Sequence, residues 1–140
     1  VFEVRERVDR RFLGHTEVAQ FLMTVEGAPG PTAHLRVGHT GKLNRQGIAV
    51  VAREGDEAAK RLAAEIEGDE SFAEPSLILD FTRFDAHRSD GEWSVTVELM
   101  GASFVTLALP PMRSYVRLHP DQRDALLTAL AALGGHLARR

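Results

Sequence analysis

The chain has 140 residues, with 17 basic and 20 acidic side chains, 6 histidines and no cysteine. The missing cysteine excludes a disulfide framework, a thiolate metal site and a cysteine nucleophile, and a domain of this length buries enough surface to fold without such staples. The net charge of −3 hides a gradient of +3 over residues 1–53, −6 over 54–79 and zero over 80–140, which lacks the dominant basic face of a nucleic-acid binder.

Residues 1–13 mix valines and arginines. Val4, Glu6 and Val8 share one parity and Arg5, Arg7 and Asp9 the other, which fits a strand with one charged face. Val1, Val4, Val8 and Phe12 also fit a short amphipathic helix, but β-branched residues dominate and no cap is present, which favours the strand. A second strand follows over 16–26, and GAPGP at 27–31 is a turn set by its glycines and prolines. AHLRVGH at 33–39 alternates again, TGKLNRQ is a loop, and GIAVVAR at 47–53 is a short apolar strand. Asp56 caps a helix whose apolar stripe is Ala59, Leu62, Ala63 and Ile66. The acidic stretch 68–75 reads as a loop with at most one helical turn, and 76–87 as a long strand. Asp90-Gly91 marks a hairpin turn, and Trp93, Val95, Val97 and Leu99 then give the cleanest period-2 signal in the chain. Gly101 offers a turn between this strand and SFVTLAL at 103–109, Pro110-Pro111 stops the latter, and 113–118 is a last short strand. Pro120 opens a final helix with Leu126, Leu130, Leu133 and Leu137 on its buried stripe, weakened at its end by Gly134-Gly135.

The expected order is ββββα followed by ββββα, an α+β fold with an antiparallel sheet and two helices packed on one face. A match of pattern between VVAREGDEAAKRLAA (50–64) and YVRLHPDQRDALLTA (115–129) suggests a single domain over 1–140, with pseudo-repeats at about 1–67 and 76–140. That element order resembles the duplicated fold of TATA-binding proteins and their relatives, a likeness of order alone that transfers no residue. No apolar run reaches the roughly 18 residues of a membrane helix. No signal-peptide pattern is read, and a soluble cytoplasmic protein is expected.

GHT occurs twice, at Gly14–Thr16 and Gly38–Thr40. His15 and His39 could share a site only if their two segments met at one end of the sheet. His34 and His39 differ in parity, and no HxH, HExxH or HxxxH spacing occurs. GHT is therefore read as a repeated turn, with no metal and no cofactor expected. Ser103 lacks a nucleophile elbow. The loop 41–47 lacks the terminal Gly-Lys-Ser/Thr and following helix of a phosphate loop. With a turn at Asp90-Gly91, residues 80–83 fall opposite 98–101, so Asp80 and Glu98 can approach each other or Arg83. Such a pair suits acid/base chemistry, or a plain cross-strand charge ladder. Arg113, Tyr115 and Arg117 share one parity of the last strand, as Arg5, Arg7 and Arg11 do in the first segment. Arginine forks recognise carboxylate or phosphate, so Arg11, His15, Arg113, Tyr115 and Arg117 are the candidate residues for a small anionic ligand.

The segments LGHTEV, LDFTR and GEWSV…GAS…PPMRSYVRL resemble an uncharacterised bacterial family of unknown function, a likeness that implies no activity. The leading functional reading is a non-enzymatic small-ligand-binding or protein-interaction domain that uses the open face of its sheet. The alternatives are an enzyme using Asp80 and Glu98 with an arginine for acid/base chemistry, and weak nucleic-acid binding by the basic first third. The expected partner is a small anionic ligand or a protein. Nucleic acid is disfavoured and a membrane is not expected, whereas an unpaired sheet edge would allow a homodimer.

Overall fold

The computed structural model describes residues 2–11, 14–41, 44, 46–108, 111–115 and 120–138, with side chains for 20–41, 44, 46–99 and 121–138. The strands are β1 (Phe2–Arg11), β2 (Gly14–Glu26), β3 (Ala33–Thr40), β4 (Gly47–Glu54), β5 (Phe81–Ser89), β6 (Glu92–Ala108) and β7 (Pro111–Tyr115). The helices are α1 (Glu57–Glu67), α2 (Glu70–Ile78) and α3 (Pro120–Leu137). Six strands lie in the order β1-β2-β6-β5-β3-β4 in one seven-stranded sheet, and β7 pairs with β6 off that path. Every pairing is antiparallel. The class is α+β, as the sequence patterning predicts.

The spine is β6. Trp93, Val95, Val97 and Leu99 are at most 1% exposed, because alternate residues of a strand share a face and this face meets the helices. Their cross-strand neighbours on that face are Phe84 and Ala86 of β5 and Phe21, Met23 and Val25 of β2, all within or against the core. Leu35 and Val37 of β3 and Ile48 and Val50 of β4 extend the same layer. The β5–β6 hairpin turns on Asp90 at φ 53° and Gly91 at φ 78°. Two positive φ angles in a two-residue loop make a type I′ turn, whose twist matches the strands.

The helices close the core. Asp56 Oδ1 accepts from the Ala59 N–H at 3.0 Å, and α1 buries Ala59, Ala63 and Ile66. At its end Glu67 Oε1 accepts from the Val50 N–H at 2.9 Å, which occupies a donor of the edge strand β4. Helix α3 buries Ala125, Leu126, Ala129, Leu130, Leu133 and Leu137. Its Gln122 clamps the link from α2 to β5: Nε2 donates to the Ile78 carbonyl at 2.7 Å, and Oε1 accepts from the Asp80 N–H at 2.8 Å.

Three expectations are corrected. Residues 70–78 form α2, neither a loop nor the start of a strand. Asp69 caps this helix by accepting from the Ser71 N–H at 3.0 Å. Pro75 inside it forfeits a backbone hydrogen bond at about 3 kcal/mol. Phe72 and Leu79, both fully buried, return about 2 kcal/mol each, so packing overrides the proline. Gly101 makes no turn: β6 runs through it for 17 residues, and the flanking register with β2 shifts between Glu17 and Ala19, the irregularity a strand-interior glycine permits. The second half therefore holds three strands rather than four and the first half is followed by two helices rather than one, so the order is ββββααβββα and not a repeated ββββα.

Candidate functional site

The face of the sheet opposite the helices carries three successive rungs, polar except at Leu22. Gln20, Glu98 and Arg83 stand opposite one another across β2, β6 and β5. The next rung holds Leu22, Thr96, Asp85 and Arg36, and the next Thr24, Ser94, His87 and His34. The β1 position of the first rung is Arg5, opposite Gln20.

A helix-free face of an antiparallel sheet is ordinarily wetted, and charges there cost little. Here Asp85 and Glu98 are each only 2% exposed, although removing a charge from water costs several kcal/mol per ion. One guanidinium joins them. Arg83 Nε donates to Asp85 Oδ2 at 2.9 Å, and Arg83 Nη1 lies 3.7 Å from Glu98 Oε1. The Arg83 side chain is itself 43% exposed. Glu98 Oε1 also accepts from Gln20 Nε2 at 2.6 Å. The Asp85 hydrogen bond, with the Glu98 charge behind it, pushes the Arg83 guanidinium above its ordinary range. A cleft of about 330 Å³ opens beside this group, lined by Arg36, Val37, Thr82, Arg83, Phe84 and Glu98.

Beyond Asp85 lies a histidine pair. His34 and His87 face each other across β3 and β5, with ring centroids 3.7 Å apart and planes inclined by 19°. His34 Nε2 is 3.7 Å from Asp85 Oδ2. Burial, and then the neighbouring His87, hold His34 below its ordinary value, so its neutral form is favoured. His34 Nε2 and Asp85 Oδ1 are buried without a hydrogen-bond partner.

The structure redistributes the residues singled out from sequence. Arg83 does face Glu98, as the hairpin register predicts. Asp80 is exposed and precedes β5, and its N–H is held by Gln122. Asp85 occupies the role given to Asp80, because the link before β5 is bound to α3 and the register with β6 shifts between Phe81 and Arg83. The two GHT tripeptides are not turns. One opens β2 and the other closes β3, strands separated by β6 and β5, so about 14 Å of sheet parts them at the usual strand spacing. His39 stacks on Phe81 with centroids 4.2 Å apart, and its Nε2 lies 3.2 Å from the Ser76 carbonyl.

Of the proposed anion-binding residues, His15 stands opposite Thr106 of β6, which stands opposite Arg113 of β7, while Arg11 stands one rung away opposite Gly14. Tyr115 stands opposite Phe104. These positions lie along the far half of β6, away from the rungs of Asp85 and Glu98. Their side chains, and all of Arg117, lie outside the described residues.

Sequence reasoning missed Asp85, His87 and His34 as a group. Asp85-Ala86-His87 on one strand places an acid and an imidazole on one face, and that DxH spacing was a readable signal. The pairing of His34 with His87 joins segments 53 residues apart, which local pattern does not reveal.

Fold and site together define an α+β protein with a buried acidic ladder and a histidine pair on the helix-free face of its sheet. The chain matches the family model described as "Protein of unknown function (DUF3156)" over residues 1–137 and belongs to that family. No curated protein and no solved structure matches it. Among the described residues, no helix is long and apolar enough to cross a membrane.

Proposed function

We propose that the protein binds a small anionic ligand, a carboxylate or phosphate ester of metabolite size, in the cleft bounded by Arg36 and Arg83. The observation that carries this reading is the state of Arg83: two carboxylates buried on an otherwise helix-free face hold its guanidinium in place, yet it is 43% exposed beside the cleft. A guanidinium fixed in this way loses little further freedom on engaging an anion. Arg36 is exposed in the same cleft and supplies a second positive charge. Exposed Thr82 lines the cleft beside the two arginines and Glu98, and its volume of about 330 Å³ lies in the range of small-molecule sites.

The test is a thermal-shift series on the purified chain in chelator, against small carboxylates and phosphate esters. A ligand at about a hundred times its Kd adds about 2.7 kcal/mol to the folded state. The expected result is a shift with one anion class, and a loss of affinity of about tenfold in Arg36→Ala, consistent with one lost charge-assisted contact, at an unchanged melting temperature without ligand. The reading is overturned by a flat response to every anion, or by an Arg36→Ala protein that binds as the wild type does.

A further inference from the structure

His34, Asp85 and His87 each offer one ligand atom, and the three atoms lie within 4.8 Å of one another. We infer that these three residues form a binding site for a divalent first-row transition metal ion, two imidazoles and one carboxylate on adjoining strands. This inference does not rest on the anion reading, which concerns Arg36 and the exposed part of Arg83.

Two independent features support it beyond proximity. The first is unmet bonding capacity. Asp85 is 2% exposed, and its Oδ1 has no hydrogen-bond partner, nor does the buried His34 Nε2. Buried polar atoms are nearly always paired, and two orphans on neighbouring ligand-type side chains are what a site for an ion leaves. The second is the support behind the carboxylate. Arg83 Nε holds Asp85 Oδ2 at 2.9 Å, which fixes the group and leaves the other oxygen free, as outer-shell partners do for metal-binding carboxylates.

The donor set selects the ion. Imidazole nitrogen suits zinc, iron, nickel and copper, whereas magnesium and calcium take oxygen. Tetrahedral donors about 2.1 Å from zinc stand about 3.4 Å from each other, so the cluster has to contract by about 1.4 Å at its widest. The two rings stack face to face, with centroids 3.7 Å apart, and turning them about their Cβ–Cγ bonds, a broad torsion in histidine, is the movement that would aim one nitrogen of each at a shared ion. Three protein ligands leave a coordination position open, the pattern of metal sites that take a water or substrate.

The test uses the untagged chain, freed of metal by dialysis against chelator and titrated with zinc in a calorimeter, and separately with cobalt followed by visible absorption. One ion per chain at micromolar concentration is expected, with cobalt absorption of a low-coordinate nitrogen–oxygen site. His87 is exposed, so His87→Ala retains the wild-type melting curve. It should weaken zinc by at least the 10- to 100-fold that loss of even an outer-shell partner costs and abolish the cobalt spectrum. His39→Ala, outside the cluster, should leave both unchanged. Absence of zinc uptake by the wild type, or equal uptake by His87→Ala, overturns the inference. Since no anion is present and Arg36 is untouched, this outcome is separate from that of the anion series.

Discussion

His34 carries a pH dependence of stability that can be assigned in sign. Its folded value lies below the ordinary 6.5 through burial first and the His87 charge second, with Arg36 adding and Asp85 opposing; Glu54 faces it from β4. Between the lowered value and 6.5 the unfolded chain binds more protons at this residue than the folded one. Stability from this source is therefore complete above pH 6.5 and is lost as the pH falls through the folded value. In chelator, His34→Gln is expected to flatten the slope of unfolding free energy against pH in that window, measured by urea melts at closely spaced pH. Equal slopes for wild type and variant would show that the residue titrates alike in both states. Asp69 acts lower on the scale: bonds from Ser71 and then His136 depress its value below 3.8, so its contribution disappears only as pH falls below that point. At this scale the sequence was partly legible. The Arg83–Glu98 pairing follows from Asp90-Gly91, since a two-residue hairpin fixes the rungs from the turn back to Arg83, where the register shifts. The joining of His34 to Asp85 depends on β3 docking against β5, a pairing set by the packing of Leu35 and Ala86 into the common core, and no local period announces it.

Among the elements, α2 separates local propensity from tertiary packing. SLIL is an apolar run too short to distinguish strand from helix by period, and Pro75 argues against a helix. The helix stands because Asp69 caps it and also meets the buried His136 of α3, whose Nε2 is 2.7 Å from Asp69 Oδ2, while Phe72 stacks edge-on against Phe84 of β5 with centroids 5.6 Å apart. The elements that were legible, α1, β6 and α3, are those in which cap, period and burial agree. Pro75 is then a local defect tolerated by a strong surround. Pro75→Ala restores an N–H at the sixth position of the helix, removes a penalty of about 3 kcal/mol and gives back about 1 kcal/mol of unfolded-chain entropy. A net gain of about 1–2 kcal/mol is expected, seen as a rise in melting temperature. A fall would mean that the ring itself packs usefully beside Asp121 and Ala125, with which it lines a groove.

Across the whole molecule, the polar face can bury its carboxylates because the apolar face is locked independently, and one place where that lock closes is Gly27. It follows β2, its N–H donates to the Gly91 carbonyl of the β5–β6 turn at 2.8 Å, and it touches both the core and the end of α3. A Cβ added at Gly27 would lie 2.7 Å from the Leu137 carbonyl oxygen and 2.8 and 2.9 Å from Trp93 Cδ1 and Nε1. None of these neighbours yields easily, since Trp93 is 1% exposed and the carbonyl is backbone. Gly27→Ala is expected to cost about 1–3 kcal/mol through overpacking. Gly135 is the control. It lies within the last turn of α3, and an added Cβ there meets nothing within 4 Å. Gly135→Ala should therefore gain about 0.5–1 kcal/mol by helix propensity. Opposite shifts in melting temperature from the same chemical change would place the closure of the fold at the meeting of the β2 terminus, the β5–β6 hairpin and α3. Equal shifts would mean that α3 rides loosely on the sheet, and the rigidity on which the buried ladder of Asp85 and Glu98 depends would have to come from the strands alone.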